Sequence, residues 1–163
     1  MRKGFVLRIL ITISMLAATL AFGGCASGIV PPTAQVTSIA LVDQSPQGAS
    51  VQVTVELKSD NAVPLPLVEC QFNVTVEGAG TYSFTDKPNK AIPAKRTDID
   101  GGPASQVITL KAVFATAGRD VKGSACQVSG AVVYEPPGEV RKVLTDSYVP
   151  LPTVPFSGSG RLE

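Results

Sequence analysis

The run Val51-Gln52-Val53-Thr54-Val55-Glu56-Leu57-Lys58 alternates apolar and polar side chains without an exception. Successive side chains of an extended strand point to opposite faces, so this stretch turns Val51, Val53, Val55 and Leu57 toward a core and wets the other side. Working outward, the same period returns in Val68, Cys70, Phe72, Val74 and Val76, which alternate with Glu69, Gln71, Asn73, Thr75 and Glu77. It returns again in Ile108, Leu110, Ala112 and Phe114, and in Cys126, Val128, Gly130, Val132 and Tyr134. The pattern predicts strands over 36–42, 50–58, 67–77, 81–85, 106–115, 125–135 and 140–149. Breakers part them, among them Ser45-Pro46-Gln47-Gly48, Asp60-Asn61, Gly78-Ala79-Gly80 and Pro136-Pro137-Gly138. Gly supplies positive φ, Pro presets φ, and Asp or Asn bonds its own backbone. Nothing between the strands is long and helical enough for a parallel crossover. About seven short strands in roughly 115 residues predict an all-β, antiparallel β-sandwich.

The chain of 163 residues carries 14 Lys+Arg against 13 Asp+Glu and no His. Arg2, Lys3 and Arg8 lie in the first eight residues, so without residues 1–24 the balance becomes 11 against 13, a net −2. That is not the clustered basic footprint of a nucleic-acid binder. The lack of His removes the commonest general base and the commonest metal ligand.

The N-terminus reads Met1-Arg2-Lys3-Gly4-Phe5, then an apolar core over Ile9–Phe22, then Gly23-Gly24-Cys25. A basic start, an apolar run too short for the ~20 residues of a membrane span, and small residues before a cut make a secretory leader. The box Phe22-Gly23-Gly24-Cys25 resembles that of bacterial lipoprotein signals, with Phe22 in place of the usual leucine. The resemblance implies that 1–24 is removed and that Cys25 is lipidated through its thiol and amine. Two or more acyl chains suffice for stable anchoring. Cleavage after Ala26 without lipid, or an uncleaved anchor, are the alternatives. Ala26 rather than Asp follows Cys25, which in a host with two membranes favours the outer one, on its periplasmic side. Residues 25–35, with Pro31-Pro32, read as a lipidated tether, 36–156 as the sandwich and 157–163 as a flexible tail.

With Cys25 taken for lipid, Cys70 and Cys126 remain as an even pair outside the cytoplasm, where disulfides persist. Both fall on the inward phase of their strands. A disulfide is the expected state, provided the two strands bring the thiols together, and two separate buried thiols are the alternative.

Several segments in order resemble the late embryogenesis abundant type 2 (LEA type 2, or WHy, water stress and hypersensitive response) domain. They are the strand 51–58 running into Ser59-Asp60-Asn61-Ala62-Val63-Pro64-Leu65-Pro66-Leu67, the strand 68–77 ending at Gly78, and Ile92-Pro93-Ala94. The strand Val128-Ser129-Gly130-Ala131-Val132-Val133-Tyr134 and the ending from Val149-Pro150-Leu151-Pro152 to Gly160 complete the set. Asp60 and Ala62 stand where the family turn has Asn and Pro. The resemblance implies a fibronectin-III-like sandwich of seven strands, no catalytic residues and a role under water stress; some members are implicated in lipid handling.

Neither a nucleophile–base arrangement nor a metal-ligand spacing is present. Asp98-Ile99-Asp100-Gly101-Gly102 starts like a calcium loop, but Gly102 and Thr109 fill positions that need oxygen donors. The cation pairs Lys95-Arg96 and Arg141-Lys142 suit exposed strands, where charge discourages edge pairing, or a weak contact with anionic lipid. The chain therefore reads as an extracytoplasmic, membrane-anchored, non-enzymatic module without a cofactor, stress-protective or protein-binding in the cell envelope. Its partners would be the bilayer, through Cys25, and other envelope proteins or lipid. The alternative is a lipid-binding or lipid-transfer module with Val63, Leu65 and Leu67 at the lip of an apolar groove.

Overall fold

The computed structural model describes residues 29–96 and 102–163. Eight strands and one helix follow in the order β1 (Thr33–Gln44), β2 (Ala49–Ser59), β3 (Leu65–Val76), β4 (Gly80–Asp86), β5 (Ala91–Ile92), β6 (Ala104–Phe114), β7 (Ala125–Tyr134), α1 (Gly138–Asp146) and β8 (Thr153–Arg161). One sheet has the order β1-β2-β6; the other runs β4-β3-β7-β8, with β5 paired to the start of β3. Every pairing is antiparallel. The all-β sandwich is thus the observed architecture.

The alternating run that predicts the fold is the central strand of the smaller sheet. Val51, Val53, Val55 and Leu57 are fully buried, opposite Ala112, Leu110, Ile108 and Gln106 of β6. Cys70, Phe72, Val74 and Val76 of β3, with Cys126, Val128 and Val132 of β7, supply the facing layer. Burying each such side chain contributes about 1.5–3 kcal/mol. At one flank Tyr82 of β4 stacks on Phe114 of β6, ring centroids 4.6 Å apart. At the other flank β8 lies against β1.

Alternation breaks on β1 and β3, where register shifts fall between Val36 and Ser38, between Leu41 and Asp43, and between Leu67 and Glu69. On β1 the inward set passes from Ala34 and Val36 to Ile39 and Leu41, with a register shift between Val36 and Ser38. On β3 the register shifts between Leu67 and Glu69, so Leu65 and Leu67 are buried while Val68, expected inside, is exposed. An extra residue in one strand reverses the phase of everything beyond it.

Two C-terminal expectations are corrected. Residues 140–149 are not a strand: Gly138–Asp146 is helical. Val140, Val143 and Leu144 have the i, i+3, i+4 spacing of one helix face, Pro137 precedes the first turn and Glu139 sits in it. The last strand lies further on, and the tail expected to be flexible belongs to it. Residues 153–161 pair with 125–133 of β7, and Leu162 beyond them is fully buried, its N–H donating to the Ser124 carbonyl at 3.1 Å. The glycines that suggest a linker have a packing role instead. A Cβ on Gly158 would lie 2.6 Å from Val36 Cβ, so only glycine lets β8 approach β1 this closely.

The tether boundary moves as well. Pro32 is buried and β1 opens at Thr33, so the sandwich begins before residue 36.

A mobile tail and a buried final strand predict different mutants. Leu162→Ala is expected to lower unfolding free energy by about 2–5 kcal/mol in urea titration, as for a buried leucine. A change below about 0.5 kcal/mol, the range for exposed positions, would restore the mobile tail.

Candidate functional site

The antiparallel register gives the sandwich two distinct ends. At one end lie the start of β1, the β2–β3 turn, residues 93–96 after β5 and the β7–α1–β8 connection. The chain enters the domain there, and the point of entry is fixed by Asn61. Its Nδ2 donates to the Val30 carbonyl at 2.7 Å and to Ser59 Oγ at 2.7 Å, while its Oδ1 accepts from the Val30 N–H at 2.8 Å. A carboxamide offers a donor and an acceptor side by side, so one side chain pairs with both polar groups of Val30 as a neighbouring strand would. Asn61 is buried, and these bonds satisfy its amide where water does not reach it. Its carbonyl accepts from Lys95 N–H, and Lys95 Nζ reaches Asp60 Oδ1 at 2.8 Å. The turn, expected as a strand breaker and as part of the family-like segment, is the knot joining the N-terminal segment, β2 and Lys95.

The helix is the second feature of this end. None of its residues is buried. Arg141 Nη2 lies 3.3 Å from Glu135 Oε1, so the Arg141-Lys142 pair, expected on a strand, projects from a helix. Ser147 N–H donates to the Val143 carbonyl, and the chain then closes the helix with Tyr148 N–H to the Thr145 carbonyl, 3.2 Å, and Val149 N–H to the Leu144 carbonyl, 2.9 Å. This is the Schellman closure, whose left-handed residue is ordinarily glycine. Here it is Tyr148, at φ +54° and 96% exposed. Val143 and Val149 beside it are 60% and 49% exposed.

The cysteine pair is corrected. Cys70 and Cys126 are both buried and both free. They sit on adjacent strands, but Cys70 is opposite Val132 and Cys126 is opposite Val76, six positions along β3. At about 3.3 Å per residue the two are roughly 20 Å apart, against the ~7 Å that a disulfide tolerates between Cα atoms. Inward phase alone could not reveal the stagger. Burial, and then the charge of Asp86, push the Cys70 thiol up to about 12; burial raises that of Cys126. Both are inert core side chains at neutral pH.

The remaining sequence candidates are dispersed. Leu65 and Leu67 are buried in the core instead of edging a groove, and Val63 stands exposed in the turn. The hollows along β7–β8 and at the β1–β2 turn are open to solvent. Among the described residues no three His, Cys, Asp or Glu side chains are grouped to hold a metal, and no helix is long and apolar enough to cross a membrane. Cys25 and the Asp98–Asp100 stretch lie outside the described residues.

No family model matches the chain, and no curated protein matches it by sequence. Among solved structures it is similar to the solution structure of a protein described as late embryogenesis abundant (LEA). Identity is 16%, the TM-score is 0.57, and the match covers 96% of this chain and 86% of that one. The likeness is one of fold. It agrees in architecture with the sandwich that the ordered segments from residue 51 to 160 suggest.

Three measurements check these residues. Asn61→Ala leaves both polar groups of Val30 without their partner and removes one of the two bonds to Ser59 Oγ, and is expected to destabilise by about 1–3 kcal/mol while opening the segment around Val30 to proteolysis. For the thiols, iodoacetamide without reductant should label both Cys70 and Cys126 in urea and neither in the folded protein; no labelling in urea would mean a disulfide. An unfolded thiol titrates near 9.0 and folded Cys70 near 12. The folded state therefore binds more protons between these values, and the urea midpoint should fall as pH rises through that window, having been level with respect to this group below it.

Proposed function

We propose that this chain is a lipoprotein of the cell envelope, held to a membrane by acylated Cys25, whose sandwich acts without catalysis by contacting or shielding neighbouring proteins. The observation that carries the reading is the box Phe22-Gly23-Gly24-Cys25 standing five residues before Val30, where the chain is bonded into a folded domain. A leader joined to a rigid body by so short a link is the arrangement a tethered module needs. The non-catalytic half is supported by the absence of His from the sequence and by titratable side chains spread over exposed strand faces and turns. Its protective aspect is supported by the LEA-like segment order and by the LEA fold neighbour.

The test is direct. The mature protein taken from membranes should begin at Cys25 and carry the added mass of acyl chains, and should float with vesicles. Cys25→Ser should abolish both. An unmodified thiol at residue 25 in the membrane fraction would end the lipoprotein reading. For the protective role, a labile enzyme dried with the sandwich should keep more activity than one dried with an inert protein of equal size; equal loss in both arms would exclude protection.

A further inference from the structure

The end of the sandwich that carries the Asn61 knot also carries Tyr148, the most exposed large apolar side chain among the described residues, and the length of the link decides what can cover it. β1 and β8 run side by side in the same sense, since Gly158 lies against Val36 and Gly160 against Ile39. The residues leading into β1 at Thr33 and those leading into β8 at Thr153 therefore share one end, and Tyr148 and Val149 are among the latter. Val30 is pinned at this end by both of its backbone groups. It is five residue steps from Cys25, a reach of at most roughly 18 Å when fully extended. The strands are longer than that: the 12 residues of β1 span about 40 Å. The β1–β2 turn at the far end cannot be the face presented to the bilayer while the near end is held so close.

We propose that the α1–β8 connection is a bilayer-contact tip, in which Tyr148, flanked by Val143 and Val149, enters the headgroup region of the membrane that residue 25 is tethered to. This rests on the lipoprotein reading above. The chemistry of the tip fits a lipid surface. A tyrosine ring has an apolar body and a polar hydroxyl and settles where hydrocarbon meets water. Its backbone is held at φ +54°, a region in which a bulky residue is disfavoured and glycine is relaxed. That closure projects the ring almost wholly into solvent. On α1 Arg141 and Lys142 are balanced by Glu139 and Asp146, so the contact is apolar and interfacial, and depends little on anionic lipid. Because none of α1 is buried, the tip can settle on the surface without breaking the core.

The sequence has no Trp, so a single Tyr148→Trp substitution creates the only indole emitter. The full-length acylated variant, reconstituted in phosphatidylethanolamine–phosphatidylglycerol vesicles, is compared with Gln47→Trp at the exposed far-end turn. The Tyr148→Trp protein is expected to show a blue-shifted emission that loses most of its intensity to lipids brominated along the acyl chain. The emission of the Gln47→Trp protein should be neither shifted nor quenched. Vesicle-bound Tyr148→Trp protein whose indole is unquenched would overturn the tip and leave the anchoring intact. Protein that does not bind vesicles and has an unmodified Cys25 by intact mass would overturn both. As a second measurement, trypsin cleavage after Arg141 and Lys142 should be slow in the vesicle-bound protein and fast in Tyr148→Gly, a change that relieves the backbone and so does not unfold the domain. Equal cleavage in the two would again remove the tip.

Discussion

Four fully buried side chains on one face of β2 cannot be covered by the sheet that bears them. That face needs a second apolar layer about 10 Å away, and Phe72, Val74, Val128 and Val132 are that layer. The sandwich follows from this requirement, and so does the placement of its flanks. Tyr82 stacks on Phe114 where β4 meets β6, and glycine at 158 lets β8 close on β1. Gly130 shows the same constraint from inside. A Cβ there would come within 2.7 Å of both Phe72 Cβ and Phe156 Cζ, so the two aromatic side chains use the space a larger residue would take.

Filling the core also fixes the register, and the register governs the sulfur chemistry. Two cysteines on the inward phase of neighbouring strands are still about 20 Å apart when six residues of stagger separate them. Each is instead a small apolar side chain, and burial that holds the thiols protonated also makes them unreactive. If the domain resides outside the cytoplasm, its stability comes from packing without a covalent link between these two positions.

The candidate functional end is organised by one carboxamide. Asn61 binds the chain as it arrives, shares its turn with the Asp60–Lys95 ion pair, and leaves a short link to residue 25. An exposed ion pair contributes little, of the order of 0–1 kcal/mol; the buried amide contributes more, because removing it strands both backbone polar groups of Val30. The proposed mooring, the orientation of the sandwich and the exposed Tyr148 tip all depend on this fixed point. A domain hung on a loose linker would present every face in turn.

The sequence by itself determined the class of fold and the inner faces of β2, β6 and β7, and it is the source of the leader reading at Cys25, because period-two alternation and a short apolar run are local properties. It underdetermined the C-terminal third. Val140, Val143 and Leu144 carried a helical spacing that β-branched content masked, and Ser157-Gly158-Ser159-Gly160 has the composition of a linker until β1 lies beside it. Only the tertiary structure decided the stagger of the cysteines, the bulges that turn Val68 outward and Leu67 inward, and the pairing of Asn61 with Val30. These depend on which residues distant in the chain become neighbours, and register is set by the filling of the whole core.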